Sequence, residues 1–283
     1  MIWLLLTLLY GVFKGLREIV KKKALGISDV MEVLVMYTLI GFVMVIPQAK
    51  NAGGLVPIQY VYIFMKSLAV FSAWIFSFHA LKKMPVSLYG ILDLSRVLFA
   101  TLLGVFVLGE VLKITQVMGL ILVCTGLLML KFKPFGKSGS NENVQPILVV
   151  CAFLSCILNA ISGFLDKILM KQMNSSQLQF WYMLFMLLLY LGYCVVFKVH
   201  IDWKKSLKNH WIWILSILFV VADKALFLAN GYPDSRITVM TLIKQSGCIV
   251  TILGGKLVFK EKNIGYKLIC AAVIIAGIMA GVL

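Results

Sequence analysis

Residues 84–110 read MPVSLYGILDLSRVLFATLLGVFVLGE, an apolar run long enough to cross a bilayer that carries Asp93 and Arg96 near its middle. A charge at that depth costs roughly 2.5 to 3.5 kcal/mol on insertion scales, so neither residue is placed to face lipid. Residues three and four apart stack on a helix, which puts Tyr89, Asp93 and Arg96 on one face. That face is expected to look into protein or water.

The stretch returns 151 positions further on. At that offset Glu110 lies on Glu261, Phe76 on Phe227, Ser95 on Ser246, Gly104 on Gly255 and Gly126 on Gly277. The polar positions repeat too: Ser72 and His79 answer to Asp223 and Asn230, and Asp93 answers to Lys244 with its charge reversed.

Working outward, 61% hydrophobic residues, 13% charged and a mean hydropathy of +0.99 leave too little polar surface to cover a soluble globule. Apolar segments span about 2–22, 30–47, 57–81, 85–108, 112–131, 146–169, 178–198, 211–229, 237–259 and 264–283. Each is near the ~20 residues that a bilayer demands. The period-two alternation of a transmembrane barrel is missing, and lipid leaves helices as the alternative. The expected fold is an all-α integral membrane protein of ten transmembrane helices. The first segment lacks a basic run ahead of it and a small-residue cleavage site, so it reads as a retained helix.

The stretch KFKPFGKSGSNENVQP (131–146) is the one clear linker and divides 1–140 from 141–283. Five crossings per half is odd, so the second half enters from the opposite side and the repeat is inverted. Inverted bundles can open a midplane site to one side and then the other, the basis of alternating access.

A net charge of +16 would suggest nucleic acid in a soluble chain, but here the lysines sit between helices. Loops after odd-numbered segments hold most of them, including Lys21 to Lys23, Lys82, Lys83, Lys133, Lys137, Lys204, Lys205, Lys208, Lys260 and Lys262. Loops after even-numbered segments hold Lys50, Lys113, Lys171 and Arg236. The positive-inside rule then places both termini outside and makes nucleic acid an unneeded partner. Six cysteines fall inside apolar segments and read as packing residues; His79, His200 and His210 are too scattered for a metal site, and no cofactor is expected.

Lys14 lies about 18 Å into the first segment at 1.5 Å per residue. With Asp93, Arg96, Asp223, Lys224 and Lys244 it forms a central set that would cost roughly 15 to 20 kcal/mol unpaired. Local Asp93–Arg96 and cross-bundle Asp223–Lys244 pairs are therefore expected. Glu110 and Glu261 precede the fifth and tenth segments, where a carboxylate suits a helix N-terminus. Gly277 and Gly281, in G-x-x-x-G spacing, suit close packing within the chain or a homodimer through the fifth and tenth helices.

Gly109-Glu110 within LLGVFVLGEVLKITQVMGLILVCTGLLML (102–130) resembles the signature of EamA-type transporters of the drug/metabolite transporter superfamily, and Tyr10-Gly11 resembles its usual Trp-Gly. The second copy reads Lys260-Glu261 instead of Gly-Glu. The resemblance implies a ten-helix carrier whose cavity is lined by the first four helices of each half. It also implies substrates such as amino acids, amines, nucleotide-related metabolites or drugs, and both termini in the cytoplasm, against the lysine distribution.

The expected substrate-binding set is Lys14, Ser72, Trp74, His79, Tyr89, Asp93, Arg96, Asp223, Phe227, Asn230, Lys244 and Gln245. Arg96 and Lys244 suit a carboxylate or phosphate, while Asp93 or Asp223 suits an amine or a coupling proton. A zwitterionic or anionic metabolite such as an amino acid is expected. The alternative is a quaternary amine or hydrophobic cation in a cage of Trp74, Phe76, Tyr89 and Phe227. A channel is a third reading. An intramembrane enzyme fits poorly: His79 is the one histidine inside a segment, and no nucleophile–base pair or phosphate-cradling glycine loop is present.

Overall fold

A computed structural model describes residues 2–108, 114–132, 144–170, 172–230, 232 and 243–282. The first half holds α1 (Ile2–Leu25), α2 (Val30–Val45), α3 (Pro57–Lys83), α4 (Val86–Asp93), α5 (Ser95–Leu108) and α6 (Ile114–Phe132). The second holds α7 (Pro146–Leu169), α8 (Ser175–Val196), a short interfacial α9 (Trp203–Lys208), α10 (His210–Asn230), α11 (Ser246–Phe259) and α12 (Ile264–Val282).

Local chemistry sets the ends. Pro57 and Pro146 open α3 and α7 at a position where the missing N–H costs nothing. Asn174 caps α8 by accepting from the Gln177 backbone N–H at 2.8 Å, while the Gln177 side chain accepts from the Asn174 N–H at 2.9 Å. Four helical stretches are each long and apolar enough to cross a membrane: Val30–Asn51, Pro57–Lys83, Pro146–Asp166 and Ser175–Val196. α1 and α10 carry charges in mid-helix, and Ile114–Met129, Ser246–Phe259 and Ile264–Ala280 are apolar but shorter among the described residues. Together they make the ten-span, two-repeat architecture expected from the sequence.

The interfaces follow the repeat. α3 packs along α7 as α10 packs along α1; α5 meets α7 as α11 meets α1; α3 meets α8 as α10 meets α2. α2–α8 and α6–α12 each pair an element with its own counterpart, and α4 of the fourth segment meets α11 of the ninth. Exchange of the halves therefore leaves the contact pattern unchanged, as a pseudo-twofold axis requires. The main interfaces all join one half to the other, so the halves interleave.

The fourth and ninth segments are interrupted at matching positions. Leu94 separates α4 from α5 in a tight turn, with Leu94 N–H donating to Ile91 O at 3.1 Å and Val97 N–H to Leu94 O at 3.2 Å. In the ninth segment Cys248 N–H donates to Gln245 O at 2.9 Å. Gln245 is the repeat partner of Leu94, and such mid-helix tightening marks hinges. Asp93 and Lys244 are the residues just before the two turns.

Both ends of the bundle are tied across the halves. At one end Glu261 accepts from the Val86 N–H at 2.6 Å, the Ser87 N–H at 3.2 Å and the Ser87 hydroxyl, with Lys267 Nζ at 3.3 Å behind it. The expected cap on its own following helix is replaced by a cap on α4 of the other half. The reason is that α4–α11 contact brings the α4 N-terminus over the α11–α12 turn. At the same end Lys22 Nζ donates to the Met84 carbonyl. At the other end Gln48 Nε2 donates to Gln179 Oε1 at 3.2 Å, Gln177 Nε2 to Gly53 O at 2.7 Å, and Trp181 Nε1 to Ala52 O at 2.9 Å.

Lys267 is buried to 1% exposure, so Glu261→Ala strands its charge. The expected loss is roughly 3 to 5 kcal/mol, read as a lowered melting temperature in detergent. An unshifted transition would show that Glu261 does not hold α4.

Candidate functional site

α1 presents Lys14, Arg17, Glu18 and Lys21 as a stripe at helical spacing along one side. Lys14 Nζ lies 2.8 Å from Asp93 Oδ2 at the end of α4, and Arg17 lies 3.6 Å from Asp223 Oδ1 on α10. Lys21 pairs with Glu18 on its own helix at 2.8 Å. These pairs displace the expected Asp93–Arg96 and Asp223–Lys244 partners. α1 supplies both cations because it runs along α10 on one side and across α11 and α4 on the other.

Glycine makes that crossing possible. A methyl group on Gly247 would lie 2.6 Å from the Gly11 carbonyl oxygen and 3.2 Å from the Gly15 nitrogen, and one on Gly90 would lie 2.8 Å from the Thr251 methyl. Backbone touches backbone here. The signal in the sequence is the i, i+4 spacing of Gly11 and Gly15.

Lys14, Glu18, Asp93, Gln245, Cys248 and Thr251 surround an enclosed space of about 10 Å³ between α1, α4 and α11. That is room for about one water.

Beside it stands an aromatic wall. Tyr37 packs on Trp74 at 5.1 Å and on Phe219 at 5.4 Å between ring centroids. The protein's own cations cover it: Arg17 sits 5.3 Å over Phe219 and Lys21 4.7 Å over Phe78.

The structure thus brings together Lys14, Asp93 and Gln245, with Asp223 and Trp74 along the same stripe. Tyr89, one turn before Asp93, is buried and hydrogen-bonded to Ser77 at 2.6 Å. Lys244 lies 5.8 Å over the Tyr10 ring. Arg96 sits on α5 with no carboxylate within 4 Å among the described residues. Ser72 is half-buried on α3. His79 is exposed, its Nδ1 2.8 Å from the Ile75 carbonyl of its own helix, and stands apart from the cluster. The side chains of Phe227 and Asn230, and all of Glu110, lie outside the described residues.

A further ion pair, between a buried lysine and a partly exposed aspartate, was not anticipated. Lys66 on α3 reaches Asp166 on α7 at 3.2 Å and sits 3.9 Å over the Tyr182 ring. α3–α7 is the repeat counterpart of α10–α1, which carries Arg17–Asp223. Each interface therefore holds one ion pair, with the polarity exchanged between halves. Lys66 at mid-segment is the signal, since a cation nine residues into an apolar helix requires a partner. Among the described residues no cluster of three His, Cys, Asp or Glu side chains could hold a metal ion.

The EamA-like transporter family model matches residues 1–132 and again 146–282. The chain belongs to that family. The two matches are the two five-helix repeats, and EamA members are transporters of the drug/metabolite type. One solved crystal structure is similar over 97% of this chain and 98% of its own, at a TM-score of 0.62 and 16% identity. That likeness speaks for the fold alone. No curated protein matches the sequence.

Proposed function

We propose that this EamA protein is a secondary carrier of a small zwitterionic or anionic metabolite, worked by alternating access. The observation that carries the reading is the Lys14–Asp93 pair, 2.8 Å apart at the wall of an enclosed space between the two repeats. A zwitterion such as an amino acid separates the pair, its carboxylate taking Lys14 and its ammonium Asp93, so both buried charges keep a partner. Gln245 and Thr251 supply neutral hydrogen bonds. Arg96 and Lys244, which flank the two tight turns, are assigned to the substrate's remaining negative charge once the turns open.

Asp223 is the carboxylate we assign to the coupling proton. Its partner Arg17 stands at 3.6 Å, beyond the 2.7–3.2 Å of a good hydrogen bond. Asp93, by contrast, is held by Lys14 at 2.8 Å. Asp223→Asn is expected to make uptake insensitive to an imposed proton gradient while substrate binding persists.

The aromatic-cage alternative has less support, because one of its rings, Tyr89, already has Lys21 5.9 Å over its face and its hydroxyl hydrogen-bonded to Ser77. The experiment that separates them is uptake into proteoliposomes of labelled amino acids, organic anions and quaternary amines, with and without a proton gradient. Saturable uptake of an acid or amino acid that Arg96→Ala lowers by about two orders of magnitude supports the charged site, the factor for roughly 3 kcal/mol. Uptake of quaternary amines alone, indifferent to Arg96→Ala, moves the site to the aromatics; flux that does not saturate makes the protein a channel.

We assign the lysine-rich face, which includes α9, to the cytoplasm, with both termini outside. Labelling of Lys205→Cys by a membrane-impermeant maleimide on intact cells would reverse the orientation.

A further inference from the structure

Between α3 and α8 a groove of about 460 Å³ opens on the outer surface of the bundle, lined by Phe64, Phe71, Phe185, Leu188, Gly192 and Tyr193 and ending at Val196 and Phe197. It lies outside the carrier site and has no part in the reading above. Its walls are almost wholly carbon. Leu188 and Val196, one turn either side of Gly192, are 54% and 73% exposed. A methyl group on Gly192 would meet nothing within 4 Å, so the groove exists where this glycine leaves a side chain out.

The groove has the dimensions of one leaflet. From Phe185 to Phe197 it runs about 18 Å at 1.5 Å per residue. Half of the bilayer's hydrocarbon is ~15 Å. It starts near mid-membrane and ends where α8 ends, on the lysine-rich face.

At that end the chain turns on Lys198, whose φ is 51°. Val199 N–H donates to Cys194 O at 2.9 Å, closing the turn. Glycine is the usual residue there because a side chain crowds the backbone in the left-handed region. An exposed lysine instead directly follows Phe197, the last residue lining the groove. His200, Lys204, Lys205 and Lys208 follow, all exposed, and α9 turns Trp203 and Leu207 outward beside them. An apolar slot of leaflet length with a cationic rim is complementary to one class of molecule.

We propose that the α3–α8 groove and Lys198 form a site for an anionic phospholipid, one acyl chain lying along Gly192 and the phosphate meeting Lys198.

The test is native mass spectrometry of the purified full chain in detergent, titrated with phosphatidylglycerol or with phosphatidylcholine. One phosphatidylglycerol should be retained about tenfold more tightly than phosphatidylcholine, given ~1 kcal/mol for each basic residue at the surface. Lys198→Gly should lose about fivefold in that affinity. Its melting temperature should hold or rise, because the strain at φ 51° is relieved. Gly192→Leu fills open space and should displace the lipid without unfolding the protein. Equal retention of the two lipids, or full retention by both variants, overturns the site. A dimer mass that collapses in Gly192→Leu and ignores lipid overturns it in favour of a second copy of the chain.

Discussion

Lys14→Gln is expected to lower the melting temperature in detergent and to abolish uptake; Asp93→Asn should do the same. The side chains of the pair are 16% and 17% exposed, so removal of one leaves the other charged, mostly buried and unpartnered. Breaking such a pair costs roughly 3 to 5 kcal/mol. The double variant Lys14→Gln with Asp93→Asn removes both charges and should melt close to the parent protein. If the pair only fastens α1 to α4, the double variant regains transport together with stability. If the pair binds the substrate, stability returns and transport does not. Recovery of uptake by the double variant would therefore remove Lys14 and Asp93 from the site and leave Arg17 and Asp223 as its centre.

Gly247→Ala carries the second large effect. The added methyl falls 2.6 Å from the Gly11 carbonyl oxygen and 3.2 Å from the Gly15 nitrogen, and backbone atoms cannot rotate aside as a side chain can. α1 and α11 must separate, at about 1 to 3 kcal/mol or more. The same separation pulls Lys14 away from the turn at Gln245, so uptake should fall with stability. Gly163→Ala is the control: a methyl there meets nothing within 4 Å, and replacing a helical glycine gains roughly 0.5 to 1 kcal/mol. Equal melting temperatures for the two variants would show that the α1–α11 crossing tolerates a wider separation than its geometry implies.

The charged residues of the candidate site were legible because charge is conspicuous in an apolar chain. Lys14, Asp93, Asp223 and Lys244 announce themselves by depth alone, and Gln245 by its place beside Lys244. Their partners were not legible. Asp93 has Arg96 at i+3, a reasonable local match, yet Lys14 from a helix some eighty residues earlier reaches it first. His79 shares a repeat register with Asn230, but its helix turns it outward, and rotation about the helix axis is fixed by packing that periodicity cannot resolve. The interruption at Leu94 has no proline or glycine to mark it. It is recognisable only beside the matching turn at Gln245.

Hydropathy, segment length and the repeat at one offset determine by themselves that this chain is helical, crosses a membrane and is built twice with opposite sense. They suffice because each reports a property of the solvent: lipid excludes unpaired backbone and punishes charge wherever the residue sits in the fold. Tertiary structure alone decided that the halves interleave, that α1 supplies the cations for both central carboxylates, and that Glu261 caps a helix in the other half. Those outcomes depend on which helices approach closely. Gly11, Gly15 and Gly247 settle this by what they leave out, and an absent side chain carries no charge or polarity to read until its neighbour is in place.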